Sequence, residues 1–386
     1  LHYKKLLSDF SQFVDFAVVG ETEHTIGDIV ESLLDKNRLS AIPGVIMEDD
    51  PGKKVCGDWI EDIDRIDFPA YEYFESVRQN HYTMEYYPIM TSRGCPYSCT
   101  FCAGPKISGK KWRFSNPESV VDEIELALKK YHTQNLEIFD DNFLLDKERV
   151  MQIMEMILKR DIKMRFRFGN GVRADKLDEE NVKIMKLAGL YEVGMGIESA
   201  DPEIFNSIKK GESFDKIEKA IKLLQKYDIN VGGSFIIGLP GATLKEDMRS
   251  VKFANRMGFN WRHTAWCYFT PYPSTDAYEQ IKSEVGEELI EKSHCRGHFT
   301  ANYIETKDYP LDERIIVRSI GAKIPPVHPD YGGWQLLRLF FKMESTVFKY
   351  RDKDLSFFQF NLLLWERMLS LFKLWITKKA DKEAYV

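Results

Sequence analysis

The chain has 386 residues, of which 44% are hydrophobic and 30% are charged, and its formal net charge is −6 at pH 7. This length suits one large domain with one or two smaller pieces. Because a slightly acidic chain lacks the basic field that nucleic acids require, we expect no nucleic-acid partner.

The chain begins at Leu1, and no charged stretch followed by an apolar segment occurs near that end. We therefore expect no signal peptide, and we expect the sequence to be that of a truncated or processed chain. Three of the six cysteines crowd between positions 95 and 102, which is not the spacing of a secreted disulfide framework. These clustered thiols predict a metal site in a reducing cytoplasm.

The first two segments are short. Residues 13–19 predict a strand, residues 24–35 a helix and residues 45–47 a second strand. This order predicts a β-α-β fragment that is too small to fold alone. Residues 51–86 mix proline, glycine and acidic residues and are interpreted as a connector.

Residues 87–270 alternate between strand and helix patterns. Helix starts are marked by Asn116-Pro117 and by the capping-box pattern that opens at Thr243. Six β-α units in series predict a parallel sheet with right-handed crossovers, and fewer than eight units predict an open, partial (β/α)6 barrel. The predicted strands are residues 88–91, 136–139, 164–168, 192–197, 230–237 and 264–269.

The remaining residues, 271–386, are predicted to be helical. Residues 355–376 are strongly apolar, but they include Glu366, Arg367 and Lys373, so a membrane-spanning helix is not expected. Their polar residues recur on one helix face, opposite a wide apolar face. Two interpretations follow: the apolar face packs on the barrel, or it docks on a membrane surface.

The motif that carries chemistry is C-x3-C-x2-C, formed by Cys95, Cys99 and Cys102, with Phe101 just before the last cysteine. It follows the first strand of the β/α series, at the edge of the predicted sheet where ligands bind. Three thiolates hold three irons of a cubane cluster and leave the fourth iron open to a small molecule. Structural zinc is the alternative, but it needs a further pair of ligands that the sequence lacks. Cys267, on the sixth strand, is predicted to be a core thiol.

On these residues the chain resembles the radical S-adenosylmethionine (SAM) superfamily over about residues 87–275. The resemblance implies a [4Fe–4S] cluster on the three cysteines and SAM on its open iron. It also implies reductive cleavage of SAM to a 5′-deoxyadenosyl radical, which abstracts hydrogen from a small-molecule or lipid substrate. An electron donor such as flavodoxin or ferredoxin would supply the electron.

Other strand ends match the family. Asp140 and Asp141 close the second strand, where the family contacts the SAM amino group, and Glu198 closes the fourth, resembling a SAM-binding glutamate. Arg173, after the third strand, would meet the SAM carboxylate or else pair with Asp175. Glycine at the end of the fifth strand lets the backbone approach the adenine. The implied SAM-binding residues are Phe101, Asp140, Asp141, Arg173, Glu198 and Gly238.

Three further motifs resemble a subgroup with an N-terminal cobalamin (B12)-binding domain: D-D-N-F at 140–143, Y-P-S-T at 272–275 and G-E-T-E-H-T at 20–25. The last resembles a turn near the end of that domain, but the lower-ligand motif D-x-H-x-x-G is absent. Cobalamin is therefore expected only in a longer parent protein. The predicted domains are a cobalamin-domain remnant (1–50), a connector (51–86), a radical SAM partial barrel (87–275) and a helical C-terminal region (276–386).

Two other functions stay open: a cobalamin-dependent radical SAM C-methyltransferase, and a non-catalytic, metal-stabilised scaffold. A dinucleotide-binding oxidoreductase is excluded, because no G-x-G-x-x-G opens a helix after a strand. The predicted location is the cytoplasm, with peripheral membrane contact through residues 355–376 as the open alternative.

Overall fold

The computed structural model describes residues 7, 12–47, 59–81, 83–294, 304–323 and 333–350. The apolar segment 355–376, Cys56 and Cys295 lie outside these described residues. The chain divides into two compact units. The first comprises Leu1–Val193, Glu212–Ile229 and Tyr272–Tyr278, and the second comprises Gly194–Gly211, Asn230–Pro271 and Glu279–Val386.

The strands confirm the predicted α/β partial barrel. Six of them, β3 and β6 to β10, form one sheet in the order β10-β9-β8-β7-β6-β3, so their order in space follows their order in the chain. The pairings of β3 with β6, β6 with β7 and β9 with β10 are parallel. The strands are β1 (Phe16–Val18), β2 (Val45–Met47), β3 (Tyr87–Ile89), β4 (Ser92–Arg93), β5 (Arg113–Phe114), β6 (Asn135–Ile138), β7 (Arg165–Val172), β8 (Leu190–Glu198), β9 (Asn230–Ile237) and β10 (Ala265–Tyr268).

Helices follow most of these strands. The cap of α5 is Asn116, whose side chain accepts the Ser119 N–H at 2.9 Å, and Thr243 and Glu246 form a capping box at α10, as the sequence predicts. The helices are α1 (Ile26–Ser32), α2 (Lys36–Ala41), α3 (Glu75–Gln79), α4 (Gly104–Ile107), α5 (Pro117–Lys130), α6 (Lys147–Lys159), α7 (Glu179–Leu187), α8 (Pro202–Ser207), α9 (Phe214–Lys226), α10 (Leu244–Arg256), α11 (Asp276–Val285), α12 (Glu287–His294), α13 (Leu311–Ala322) and α14 (Gly333–Tyr350).

The N-terminal fragment differs in detail from the predicted β-α-β arrangement. The predicted helix 24–35 corresponds to α1, which ends at Ser32. A second helix that was not predicted, α2, begins after Asp35, whose side chain accepts the N–H groups of Asn37 and Arg38, both at 3.1 Å. Strands β1 and β2 pair antiparallel. A small core of Ile29, Leu39, Ile42 and Val45 lies beneath them.

In the first unit, the apolar side chains of β3, β6 and β7 that face the helices are buried with those of α5 and α6. Arg149 of α6 is buried among them and donates from Nε to the Ser115 carbonyl at 2.9 Å and from Nη2 to the Thr91 carbonyl at 3.0 Å. These hydrogen bonds fix the segments that flank β4 and β5, which pair as a hairpin. The two strands have only two residues each, so they were not predicted from the sequence.

In the second unit, helix α13 packs on β10. A Cβ atom added at Gly321 of α13 would lie 2.5 Å from the Trp266 ring, which stacks on Phe235 with a centroid separation of 4.4 Å. Helices α11 to α14 agree with the predicted helical character of the C-terminal region as far as position 350, outside the undescribed stretches 295–303 and 324–332. Among the described residues, every helix is too short or too polar to cross a membrane.

Candidate cofactor site

Residues 94–110, here named the cysteine loop, connect β4 to the segment leading into β5. Its ends are joined where the Cys95 N–H donates to the Gly109 carbonyl at 3.1 Å. Gly94 has a φ of +87°, and a Cβ atom there would lie 2.3 Å from the Lys111 carbonyl oxygen. Glycine is therefore required where the chain enters the loop.

The three cysteines of the loop are half-buried, and none of them forms a disulfide. The Gly104 N–H donates to Cys102 Sγ at 3.3 Å, and Asn142 Nδ2 lies 4.0 Å from Cys95 Sγ. No group of three or more His, Cys, Asp or Glu side chains in the described part of the chain converges on a single metal ion. Because each thiolate of a cubane cluster binds a different iron, its thiolates stand further apart than those of a zinc site. Three thiols and an N–H donor to sulfur fit a cluster.

The two aspartates that close β6 have different contacts. Asp140 is buried, and its carboxylate accepts the Thr91 N–H at 2.7 Å, the Thr91 hydroxyl at 2.7 Å and the Ser92 hydroxyl at 2.5 Å. Burial raises the pKa of Asp140, and these hydrogen bonds oppose the shift. Asp141 instead accepts the Gly94 N–H at 3.0 Å. Asp140 thus anchors the end of β3, while Asp141 contacts the entrance of the cysteine loop.

Arg173 pairs with Asp175, as one of the two sequence interpretations expects. Its Nε and Nη2 lie 3.0 and 3.1 Å from the two carboxylate oxygens. The guanidinium also stacks over the ring of Tyr97, a cysteine-loop residue, with its Cζ 3.6 Å from the ring centroid. Burial, the largest single effect, acts to lower the pKa of Arg173, but the hydrogen bond to Asp175 and the charges of Glu212 and Asp175 together raise it. Glu212 fixes the backbone here by accepting the Ala174 N–H at 2.7 Å.

A cavity of about 430 Å³ lies in the first unit. It is lined by Met90 and Phe139, which directly follow β3 and β6, by Asn170 of β7, and by residues between positions 63 and 71. The carboxyl of Glu123, which accepts the Tyr87 hydroxyl at 3.0 Å, also lines it. The cavity is largely apolar and large enough for a small molecule.

In the second unit, Glu198 ends β8 with a φ of +66° and accepts a hydrogen bond from Lys210 Nζ at 3.2 Å. Lys210 is 6% exposed and its Nζ also contacts the Gly196 carbonyl. A Cβ atom at Gly196 would lie 2.6 Å from the Glu198 carboxylate and 2.7 Å from Lys210 Nζ. Glycine therefore makes room for the pair.

Gly238, also in the second unit, has a φ of +79°, and a Cβ atom there would lie 2.2 Å from Arg314 Nη1. Its N–H donates to Asp247 at 2.8 Å, and Asp247 also accepts the Tyr309 hydroxyl at 2.8 Å. Burial raises the pKa of Asp247 to about 7, although both hydrogen bonds oppose this. The turn after β9 thus rests on a buried acid and a buried guanidinium, and the guanidinium leaves no room for a Cβ atom at Gly238.

The radical SAM superfamily model matches residues 89–254, which contain the cysteine loop and strands β6 to β9. This chain belongs to the radical SAM superfamily. An uncharacterized methyltransferase of Pyrococcus horikoshii is 30% identical over 272 residues, covering 69% of this chain and 58% of that protein. An anaerobic magnesium-protoporphyrin IX monomethyl ester cyclase of Rubrivivax gelatinosus is 26% identical over 292 residues, covering 73% and 52%. The chain therefore spans little more than half of these relatives.

Solved structures support the radical SAM fold. The methyltransferase TsrM of Kitasatospora setae, solved with tryptophan and a SAM analogue, has a TM-score of 0.61 at 17% identity and is matched over 90% of this chain and 68% of its own. The cobalamin-dependent radical enzyme OxsB, solved with aqua-cobalamin, has a TM-score of 0.54 at 21% identity, over 81% and 43%. At these identities the comparison describes the fold alone.

Within the first unit, the radical SAM domain brings together the cysteine loop with Phe101, Asp141 and Arg173. Glu198 and Gly238 belong to the second unit. Apart from Asp175, the partners of these residues were missed by sequence reasoning, because a partner distant in the chain has no local pattern. In the sequence, Glu212 and Lys210 look like ordinary charged surface residues. A signal was nevertheless present at Gly196, two residues before Glu198, because a glycine inside a strand often indicates that other atoms approach it closely. The missed residues are Tyr97, Glu212, Lys210, Asp247, Tyr309 and Arg314.

Proposed function

We propose that this chain is a radical SAM enzyme in which Cys95, Cys99 and Cys102 hold a [4Fe–4S] cluster. When bound, the cluster supplies one electron that splits SAM into methionine and a 5′-deoxyadenosyl radical, which takes a hydrogen atom from a small-molecule or lipid substrate. One observation carries the proposal: three half-buried cysteines, none of them in a disulfide, share one loop after the first strand of a parallel sheet. The superfamily match over residues 89–254 supports it.

The chain's own residues supply binding and orientation. The Gly104 N–H bond to Cys102 stabilises the thiolate and tunes the potential of a bound cluster, because hydrogen bonds to sulfur favour the reduced, more negative state. Asp141 holds Gly94, and Arg173 holds Tyr97 by stacking, so two strand ends fix the loop. In this proposal the guanidinium charge of Arg173 attracts the SAM carboxylate, while Asp175 keeps the arginine in its orientation.

Glu198 and Gly238 are proposed to bind the SAM nucleoside. The carboxylate of Glu198 accepts hydrogen bonds from ribose hydroxyls or from the amino group, and Lys210 sets its direction. Gly238 lets the backbone approach the adenine, and its N–H group donates to Asp247, which fixes the turn. Phe101, next to Cys102, contributes an apolar surface. Asp140 is proposed to support the site through Thr91 and Ser92.

Anaerobic reconstitution with iron and sulfide tests the proposal. The wild-type protein should turn brown, and incubation with SAM and dithionite should release 5′-deoxyadenosine, detected by mass spectrometry. Cys99→Ala should lose both properties while keeping its helical circular dichroism. Cys267→Ala, which removes a half-buried thiol that is not part of the C-x3-C-x2-C motif, is the matched control and should keep both. A Cys99→Ala protein with full SAM cleavage would refute the assignment.

Methyl transfer is the second candidate. It is favoured by the relatives and fold neighbours that are named methyltransferases, among them those of Pyrococcus horikoshii and Kitasatospora setae. A methylating enzyme converts SAM to S-adenosylhomocysteine, so the same incubation separates the two candidates by the ratio of that product to 5′-deoxyadenosine. Reduction by flavodoxin or ferredoxin, and membrane contact through residues 355–376, stay predictions.

A further inference from the structure

The turn at residues 20–25 has a role that the proposed function does not use. Glu21 reaches from this turn to β5, where its two carboxylate oxygens accept Arg113 Nη1 at 2.7 Å and Nη2 at 2.8 Å. It also accepts the Ile60 N–H at 2.7 Å. One glutamate therefore joins the N-terminal fragment, the connector and the hairpin that flanks the cysteine loop.

Arg113 depends on this carboxylate. Its side chain is 2% exposed, and its other contacts are the carbonyl oxygens of Ile60 at 2.6 Å and Ser108 at 2.8 Å. Carbonyl oxygens solvate a guanidinium but do not neutralise its charge. A buried cation left without its carboxylate is strongly unfavourable, so Glu21 compensates Arg113.

A second arginine lies directly across the hairpin. Arg93 of β4 is paired with Arg113 of β5 in the strand register. Like charges at opposed positions destabilise a strand pair. Here Glu23 contacts Arg93 at 2.6 Å, and Glu21 lies 3.5 Å from Arg93 as well as against Arg113. We name Glu21, Glu23, Arg93 and Arg113 the glutamate clamp.

The clamp acts on both ends of the cysteine loop. Arg93 stands two residues before Cys95, and Arg113 holds Ser108 beyond Cys102. The connector adds a third contact, because Trp59 Nε1 donates to the Ile107 carbonyl at 3.0 Å and the Trp59 ring lies 3.3 Å from a Cβ atom added at Gly109. The separation of the loop ends is therefore set by residues outside the barrel strands.

We propose that Glu21 is a positioning residue for the iron–sulfur cluster: it keeps the β4–β5 hairpin closed, so that the three thiols hold a fixed mutual geometry. This inference rests on the proposed function, since it concerns the same three cysteines. It gives the turn at residues 20–25 a role in supporting the cysteine loop, and this role does not require cobalamin.

Cluster loss from reconstituted protein tests this role. The decay of visible absorbance in the presence of a chelator should be about tenfold faster in Glu21→Gln than in the wild type, because the hairpin opens more often when Arg113 lacks its counter-charge. Hydrogen exchange should rise in peptides from residues 94–110 and stay unchanged around β9 and β10. Glu31→Gln is the control, since Glu31 forms an exposed pair with Arg38 at 3.2 Å.

A double variant separates positioning from general stability. Glu21→Gln with Arg113→Met removes the uncompensated charge, so its thermal midpoint should recover toward that of the wild type. Its cluster should stay labile, because the bonds from Arg113 to Ile60 and Ser108 are gone. Glu21→Asp, which keeps the charge, should fold and show an intermediate rate of cluster loss.

The outcomes distinguish this inference from the proposed function. Absence of any cluster in the wild-type protein would overturn both. A wild-type cluster with equal lifetime in Glu21→Gln would overturn the positioning role alone. Full restoration of cluster lifetime in the double variant would also overturn it, because Glu21 would then act only as a counter-ion.

Discussion

Gly238 and Gly241 stand three residues apart in the turn after β9, and both have positive φ, at +79° and +83°. Their surroundings differ. The Cβ position of Gly238 is filled by the guanidinium of Arg314, whereas that of Gly241 meets only Ile204 at 3.6 Å. An alanine at position 241 therefore introduces backbone strain alone, whereas an alanine at position 238 introduces both backbone strain and a steric clash.

Gly238→Ala should lower the free energy of unfolding by about 3 kcal/mol, because left-handed backbone costs about 1–2 kcal/mol and displacing buried Arg314 adds to it. Gly241→Ala should cost only the backbone part. Denaturant titrations of the two variants and the wild type measure the difference. Equal decreases in the free energy of unfolding of the two variants would show that the Arg314 side chain can move aside without cost.

Glu123 predicts a pH-dependent stability. Burial raises its pKa to about 7 from an ordinary 4.5, with the Tyr87 hydroxyl opposing the shift and Asp140 adding to it. Between these values the folded protein holds a proton that the unfolded chain releases, so stability falls as pH rises from about 4.5 to 7. Above pH 7 the destabilisation is complete.

Glu123→Gln should therefore stabilise the protein at pH 8 by up to about 3 kcal/mol, since each pKa unit corresponds to about 1.4 kcal/mol. The glutamine oxygen still accepts the Tyr87 hydroxyl. The gain should vanish near pH 4, as thermal melts across this range would show. Glu155→Gln, at an exposed site on α6, should show no such trend; a pH-independent gain at Glu123 would contradict the assignment.

At the scale of elements, long and regular segments were predictable. Strand β9 has the predicted bounds, and helices α5 and α10 begin at the predicted caps Asn116 and Thr243, because an apolar run with clear ends and a capping residue are local signals. The two-residue strands β4 and β5 are not predictable, since their pairing depends on Arg113 meeting distant Glu21. The same holds for the candidate site. The spacing of the three cysteines identifies them from the sequence, whereas the residues that support the cysteine loop can be identified only from the structure.

Two helical glycines give a prediction about packing between elements. In α13, Gly321 lies against the Trp266 ring, which is 5% exposed and stacked on Phe235. Gly321→Ala should therefore destabilise by about 1–2 kcal/mol, because overpacking outweighs the better helix propensity of alanine. In α1, Gly27 has no neighbour within 4 Å, so Gly27→Ala should stabilise by about 0.5–1 kcal/mol. Thermal unfolding should shift in opposite directions, and a stabilising Gly321→Ala would contradict this packing.

At the scale of the whole molecule, we expect this chain not to retain cobalamin. The fragment from β1 to β2 buries a core of four residues, Ile29, Leu39, Ile42 and Val45, and has only two paired strands. Binding a corrin with its nucleotide tail must offset an association cost of about 4–15 kcal/mol, which needs a much larger buried surface.

Mixing the protein with hydroxocobalamin and desalting measures this directly, and the corrin absorbance should elute with the small molecules. A cobalamin-binding protein handled in parallel controls for loss on the column. Stoichiometric retention by this chain would contradict the prediction, and it would make methyl transfer the first candidate.

The strands of the sheet lie side by side in the order in which they occur along the chain. A ribosome releases β3 before the others, so each later strand emerges when its neighbour has already been made. No strand has to enter between two that are already paired, and each crossover joins consecutive units. Synthesis therefore extends the sheet at one growing edge, one β-α unit at a time.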